Sequence, residues 1–542
     1  MLDLFHRATS LGEVFPVRTG LQTGDNETFV RLWHEVDQQK SSLKSVSATE
    51  AQSSQFKWFP LHAGGSYRRW YGNSEKLVDW LGGGVNIKQD KLDRLARGEI
   101  LASNSKPKNE PFYFLPCVTW TRIKSKSFGV RICRAGSIFD MTGPSAFPDE
   151  ENFLLLTGFL NSKIADLALG AINPTITTQP GDVSRFPWLA ISNNAVAGTL
   201  KATAQEAVKV AATDWDNFET SWDFRDQPML RPGLKGGTLE ASWRNWEAQS
   251  TAAIRRMQEL ETENNRLFIA AYGLDGELEP AVPDAQITLA RAEARRDMAA
   301  FLSYAVGCMM GRYCSDHPGL ILANAGDSLP EFLEKVGKPL AELTYAPDED
   351  GIIPVLDGEW FEDDIVARTR DFLRATFGEA TLRENLRFIE DSLGKDLRKY
   401  FLNDFYRDHL QTYKKRPIYW LVQSPKKSFS ALFYLHRYTR DTMNLVLNSY
   451  LRDYEVKLRN RLAHVSELQV IAATAKARTE ARKETDKLTK ILAECEEWER
   501  QVLLPLAQAR IELDLDDGVK TNYLKLGEAL ATIPGLAAKE EE

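Results

Sequence analysis

The sequence predicts an α+β fold: a mixed α/β domain followed by mostly helical domains that end in an antiparallel helical hairpin. Three observations predict it. The first part of the chain is rich in short β-prone runs punctuated by Gly, Pro and Asn. From about residue 200 the apolar residues recur at helical spacing. Near the end, two runs with apolar residues at threes and fours flank a stretch of Ala, Thr, Lys, Arg and Glu.

In chain order, Thr28–Trp33, Phe112–Trp120, Phe128–Cys133 and Ser137–Phe139 read as strands. One helix is expected at Lys88–Gly98. A second is expected at Asn152–Gly170, where Phe153, Leu156, Leu160, Ile164 and Leu167 share a face. Residues 1–195 are assigned to this α/β domain. Residues 196–360 form a helical middle region, with helices over Glu240–Gly273 and Thr288–Gly311 and a Pro-, Gly- and Asp-rich end. Residues 361–440 are a helical basic and aromatic region, its last part read as alternating helix and loop. Residues 441–542 carry Leu447, Leu451, Tyr454, Leu458, Leu462, Val465 and Leu468, then Leu488, Ile491, Leu492, Cys495, Trp498 and Val502. A turn near 470–480 makes these a long helical hairpin of coiled-coil style, ahead of a charged tail, Lys539-Glu540-Glu541-Glu542.

Composition narrows the function classes. Hydrophobic residues are 43% and charged residues 27%, which supports a sizeable core and excludes wholesale disorder. With 68 Lys+Arg against 76 Asp+Glu the net charge is −8, so a uniformly basic nucleic-acid coat is excluded. The longest apolar stretch, around Phe153 to Leu160, is far short of the roughly 20 residues of a spanning helix. Asp3, His6, Arg7 and Glu13 stand where a signal peptide needs an apolar core, so a cytoplasmic chain without a membrane partner is expected. The five cysteines are scattered and form no C-x-x-C pair; neither a disulfide framework nor a metal site is expected.

Catalytic motifs are missing. There is no P-loop and no G-x-S-x-G, and His34-Glu35 is followed by Gln38 where H-E-x-x-H needs a second imidazole. Gly64-Gly65 and Gly82-Gly83-Gly84 read as turns, and Asp149-Glu150-Glu151 and Asp348-Glu349-Asp350 as solvated loops. Cys308-Met309-Met310, after the small residues Ala305-Val306-Gly307, reads as close helix packing.

Charge is unevenly spread. From Lys57 to Arg134 there are about 15 Lys+Arg against about 6 Asp+Glu, interleaved with aromatic residues such as Trp58, Tyr67, Trp70, Tyr71 and Trp120. Such a patch attracts phosphates and offers rings to bases, or it is a basic surface over ordinary core aromatics. A second basic run spans Lys395 to Arg440 and includes Lys414 and Lys415. Its lysines read as a solvated face rather than a phosphate clamp.

Longer strings carry a family likeness. Gly20-Leu21-Gln22-Thr23-Gly24-Asp25-Asn26, Trp58-Phe59-Pro60, Gly64-Gly65-Ser66-Tyr67-Arg68-Arg69-Trp70-Tyr71-Gly72-Asn73 and Gly158-Phe159-Leu160-Asn161-Ser162-Lys163 are four of them. Thr220-Ser221-Trp222-Asp223-Phe224, Gly311-Arg312-Tyr313, Tyr413-Lys414-Lys415-Arg416-Pro417-Ile418-Tyr419-Trp420 and Asp516-Asp517-Gly518-Val519-Lys520-Thr521-Asn522-Tyr523 continue the series. Together they resemble the C-terminal, target-recognition and helical portion of the PglX adenine-specific DNA methyltransferases of BREX phage-defence systems. Asn161-Ser162-Lys163, Gly181-Asp182 and Phe186-Pro187-Trp188 also resemble the late part of a target-recognition domain of type I restriction specificity subunits.

The resemblance implies a sequence-specific DNA-recognition portion that positions duplex DNA for a methyltransferase half. That half would hold S-adenosylmethionine, and other BREX components would be further partners. The methyltransferase half of the family carries a cofactor loop and an Asn-Pro-Pro-Tyr type motif. This chain has no Pro-Pro dipeptide, and Asn173-Pro174-Thr175 lacks the aromatic ring, so no catalytic, cofactor or metal residue is assigned. The residues set against DNA are Arg68, Arg69, Tyr71 and Asn73 on an expected exposed loop, with Lys88, Arg122, Lys124, Lys126 and Arg131 from the same patch. Lys163, Lys414 and Lys415 join them. The rival reading is a protein-interaction scaffold that docks other defence components and touches DNA incidentally.

Overall fold

The computed structural model describes residues 5, 7–43, 46–123 and 127–536. Lys124 and Lys126, two of the expected DNA contacts, lie outside these residues, as do Asp3, His6 and the charged tail 539–542. The described chain is α+β, as the sequence predicts, and it divides into two compact units. The first comprises Met1–Trp33, Gln38–Phe224 and Trp246–Ala292; the second comprises His34–Asp37, Arg225–Asn245 and Glu293–Glu542.

The described residues of the first unit form ten strands: β1 (Thr9–Ser10), β2 (Val17–Arg18), β3 (Val30–Leu32), β4 (Trp58–His62), β5 (Lys76–Asp79), β6 (Cys117–Trp120), β7 (Val130–Cys133), β8 (Ile138–Phe139), β9 (Ser145–Ala146) and β10 (Pro187–Trp188). One four-stranded sheet runs β2-β9-β6-β7 and the other β3-β5-β4-β8, while β1 pairs with β10. All these pairings are antiparallel except β4 with β8. Strands β4 and β6 are buried along their whole length, so they read as apolar runs without alternation. The first sheet packs its Val118, Trp120 and Val130 against Leu156, Phe159, Leu160 and Phe268, residues of the helices Phe153–Leu160 and Leu239–Ala271.

The helix expected over Asn152–Gly170 is two helices, Phe153–Leu160 and Lys163–Ile172, bent by 65°. The cause lies at Asn161. Its buried side chain accepts from Val130 N (2.9 Å) and donates to Val130 O (3.2 Å), satisfying β7 along its edge. Ser162, in an extended conformation, then starts the second helix. The helix expected at Lys88–Gly98 begins earlier and ends at Ala96, after three left-handed glycines, Gly82, Gly83 and Gly84. Only Gly takes three such conformations in a row at low cost.

The second unit is mostly helical, but it contains a three-stranded sheet that sequence reading missed. Strands β11 (Ile352–Pro354), β12 (Tyr419–Gln423) and β13 (Ser430–Tyr434) pair antiparallel in the order β11-β13-β12. The region read as alternating helix and loop thus holds a β-hairpin. Nearly every residue of β12 and β13 is buried, so both strands lack the alternation that marks a half-exposed strand. The terminal hairpin is present: Arg452–Ile471 and Ala475–Trp498 join through three residues. Leu458, Val465, Ala481, Leu488 and Cys495 are buried along it, and Arg459–Glu496 and Arg461–Glu484 pair across it at 2.6 and 2.8 Å. No single helix among the described residues is long and apolar enough to cross a membrane.

Candidate nucleic-acid interface

Two of the strings singled out in the sequence, 64–73 and 158–163, meet at the outer edge of β7. The segment 64–73 runs alongside it: Trp70 N donates to Val130 O (2.7 Å), and Ile132 N donates to Trp70 O (2.9 Å). Trp70 takes a left-handed backbone (φ 70°), which a bulky residue adopts only under constraint. The constraint is visible. Its ring is fully buried, and Nε1 donates to Glu261 Oε1 at 2.8 Å.

This geometry corrects the expected exposed loop. Arg69 is 3% exposed; its Nη1 donates to Glu261 Oε2 at 3.0 Å and its Nη2 to Asp166 Oδ2 at 3.4 Å. Arg68 is half-buried, donates to Asp214 Oδ2 (3.3 Å), and lies 4.7 Å over the ring of Trp215. Asn73 Nδ2 donates to Ser66 O (2.8 Å), and Ser66 Oγ donates back to Asn73 Oδ1 (3.2 Å), closing the loop on itself. Tyr71 is buried, with the exposed Arg134 guanidinium 5.8 Å from its ring centre. The carboxylates that hold the two arginines are not the nearby Glu75 or Asp79. They come from helices roughly one to two hundred residues later in the chain.

The other expected contacts divide similarly. Lys163 Nζ donates to the carbonyls of Glu279 (2.6 Å) and Ala281 (2.7 Å), so it clamps a loop. Half-exposed Lys88 pairs with Glu110 at 2.6 Å and stands over Trp80. Arg122 is half-exposed, its carbonyl accepting from Thr178 N (2.7 Å) and its guanidinium facing the Gln179 amide. In the second unit Lys414 and Lys415 are exposed on consecutive left-handed residues (φ 52° and 60°) after the helix Tyr406–Thr412.

Arg131 differs from all of these. It is 2% exposed in the middle of β7, opposite Thr119. Nη1 donates to Thr121 Oγ1 at 3.3 Å, and Nη2 has no partner among the described residues. Burial pulls its guanidinium down to about 10, which still leaves it charged at neutral pH. The same burial, helped by the charge of Arg131, holds neighbouring His62 at about 3, hence neutral.

The second unit contains a buried polar cluster that no sequence signal marked. Arg312, fully buried, donates Nη1 to Tyr434 Oη (2.9 Å) and Nε to Tyr313 Oη (3.2 Å). His34, His409 and His436 are buried around it, and burial, then the charge of Arg312, holds His409 and His436 down to about 3. His409 Nε2 accepts from Ile418 N and Tyr419 N at 3.2 and 3.1 Å. Elsewhere in this unit Tyr450 Oη lies 3.0 Å from both Asp350 and Asp363. One hydroxyl proton cannot serve two carboxylates, and burial, then the charge of Asp348, pushes the Asp350 carboxyl up to about 7. Cys308, Met309 and Met310 are buried, and a Cβ on Gly307 would meet the Tyr313 ring at 2.5 Å.

Among the described residues no group of His, Cys, Asp or Glu is placed to hold a metal ion. The one Asn-Pro candidate for a methyltransferase motif is committed to its own loop. Asn173 Oδ1 accepts from Thr175 N and Oγ1, while Nδ2 donates to Thr177 O and Asp182 Oδ2. That amide is not available to a base.

No protein-family model matches the chain. Two curated relatives do. The adenine-specific methyltransferase PglX of Lacticaseibacillus casei (strain Zhang) is 34% identical over 530 residues, which is 95% of this chain and 42% of the relative. The adenine-specific methyltransferase BrxX of Escherichia coli O9:H4 (strain HS) is 31% identical over 561 aligned positions, 96% of this chain and 43% of the relative. The chain is a homologue of these methyltransferases over part of their length. It spans less than half of PglX and of BrxX and corresponds to a C-terminal part of them.

Proposed function

We propose that the chain is the DNA-recognition portion of an adenine-specific methyltransferase of the PglX and BrxX kind. The observation that carries this is the match over 95% of the chain to two proteins of that name. In this reading the first unit meets duplex DNA with the patch around β7. A methyltransferase half binds S-adenosylmethionine and the flipped adenine, because the target atom is out of reach inside a duplex. The commitment of Asn173 to its own loop supports that division of labour. Cytoplasmic location and further partners from the same defence system belong to the same reading.

A scaffold role is the second reading, and one observation favours it. At the turn of the terminal hairpin, Val470 and Ile471 are 84% and 73% exposed, large apolar residues at the end of a long arm. Two measurements separate the readings. Selection from a random duplex library at fixed salt is expected to enrich one motif with this chain. Calorimetry is expected to show no micromolar binding of S-adenosylmethionine to it, with methylation appearing only when the methyltransferase half is added. Retention of duplexes without sequence preference favours the scaffold, and cofactor binding by the chain alone sinks the division of labour.

A further inference from the structure

Arg131 is electrostatically anomalous. A buried guanidinium normally keeps a carboxylate, as Arg69 keeps Glu261 and Asp166. Among the described residues Arg131 has no carboxylate within ion-pair distance, and its Nη2 is buried without a partner. It lines a notch whose other walls include Gly65, Tyr67, Arg68, Thr121, Ser127 and Gly129. The notch has room for about one water-sized atom. Its polar lining offers hydroxyls and two guanidinium groups, and none of the described residues that line it is acidic. Ser127 Oγ donates to Tyr67 Oη at 2.8 Å, and Thr121 Oγ1 already takes a hydrogen bond from Arg131. Gly129 keeps the wall close: a Cβ there would meet the Arg69 side chain at 2.9 Å and the Tyr67 ring at 3.1 Å. Exposed residues Gly65, Ser66 and Ile123 lie at or beside its walls, Ile123 being 62% exposed.

A polar notch with uncompensated positive charge fits the oxygen of an anion. Its size is the second clue: its enclosed part has room for about one oxygen atom. We propose that the notch receives one non-bridging oxygen of a phosphodiester, with Arg131 as the buried cation and the Thr121 and Ser127 hydroxyls beside it. The proposal rests on the DNA-recognition reading and adds the residue that pins the backbone register. A phosphate contact fixes position along the duplex and carries no base preference. Free inorganic phosphate shares the chemistry, and the two sources are separated by the test below.

The test uses the full chain with Arg131→Met, Arg131→Lys and Thr121→Val. Replacing an unpaired buried charge by an apolar group of similar length relieves desolvation, so Arg131→Met is expected to melt at or above the parent temperature. It is also expected to bind duplex DNA about ten-fold more weakly, with the slope of log affinity against log salt smaller by about 0.9, the signature of one lost phosphate contact. Arg131→Lys keeps the charge and is expected to lie between. Thr121→Val, which removes only a hydroxyl, covers the case in which Arg131→Met does not fold, and is expected to weaken duplex binding with an unchanged melting temperature. Arg131→Met that keeps the parent's affinity and salt slope overturns the proposal, as does loss of stability with unaltered binding by Thr121→Val. A parent chain that binds no duplex at all defeats the DNA reading itself. In that event phosphate stabilising the parent against chloride, but not Arg131→Met, assigns the notch to free anions and overturns the phosphodiester.

Discussion

Arg69 and Arg131 are the same residue type, buried in one unit, in opposite electrostatic circumstances. Arg69 closes a pair with Glu261 and Asp166, and Glu261 also receives Trp70 Nε1. Its charge therefore serves the fold. Removing one partner of a buried pair leaves the other uncompensated, so Arg69→Ala is expected to destabilise the first unit by about 3–5 kcal/mol. Arg69→Met with Glu261→Gln in the same chain is expected to recover much of the loss, because no fully buried bare charge remains: Asp166 is about a third exposed and keeps its bond from Phe128 N. A denaturant titration of the two variants decides the matter; equal losses would show that the cost comes from packing and not from charge. Sequence could reveal that two adjacent arginines need partners. It could not reveal which, since Asp166, Asp214 and Glu261 enter from elements that only the finished fold brings to residues 68–69. The exposed-loop expectation failed on that point, although Gly72 and Asn73 do take positive φ, as a sharp turn requires.

At the scale of elements, legibility follows exposure. The terminal hairpin was readable because one face of each helix stays in water, so the apolar seam stands out in the residue order. Strands β12 and β13 were not readable because their faces are both covered. The bend between Phe153–Leu160 and Lys163–Ile172 was hidden for a third reason. The apolar face continues straight through it, and the break depends on a strand about thirty residues upstream, through Asn161 and Val130. Asn161→Ala removes both of those hydrogen bonds and leaves the N–H of Val130 unsatisfied in a buried place, while Val130 O keeps its bond from Trp70 N. It is expected to cost about 1–3 kcal/mol, the cost of one stranded buried group. Amide exchange should then quicken at Val130 while the terminal hairpin keeps its protection. Protection at Val130 equal to the parent's would remove Asn161 as the cause of the bend.

For the whole molecule, acid stability is a contest inside the second unit. His34, His409 and His436 are buried neutral beside the charge of Arg312, with folded values well below the ordinary 6.5. A depressed imidazole leaves the folded state fully favoured above pH 6.5. As pH falls toward about 3 the unfolded chain takes up a proton that the folded chain refuses, and stability drops. Asp350 and Glu455, each raised to about 7 with burial as the first cause, act in the opposite sense. Their carboxyls hold a proton in the folded state at a pH where the unfolded chain has released it, so acid favours the fold until the ordinary carboxylate range near 4 is reached. Asp363 is raised as well, with burial as the first cause, and shares Tyr450 with Asp350. Between pH 6 and 4.5 the two sets oppose each other, and a flat stability profile of the parent conceals both. His409→Gln separates them, since a glutamine oxygen can still accept from Ile418 N and Tyr419 N while carrying no titrating proton. Stability measured by urea unfolding at pH 6, 5 and 4.5 is expected to fall less steeply in the variant, by about 1.4 kcal/mol per pH unit, the equivalent of one proton. Tyr450→Phe removes the hydroxyl between Asp350 and Asp363 and is expected to make the unit relatively less stable at pH 8 than at pH 5. Stability curves for His409→Gln that run parallel to the parent's across this window mean that the buried imidazole is not what opposes the carboxyls.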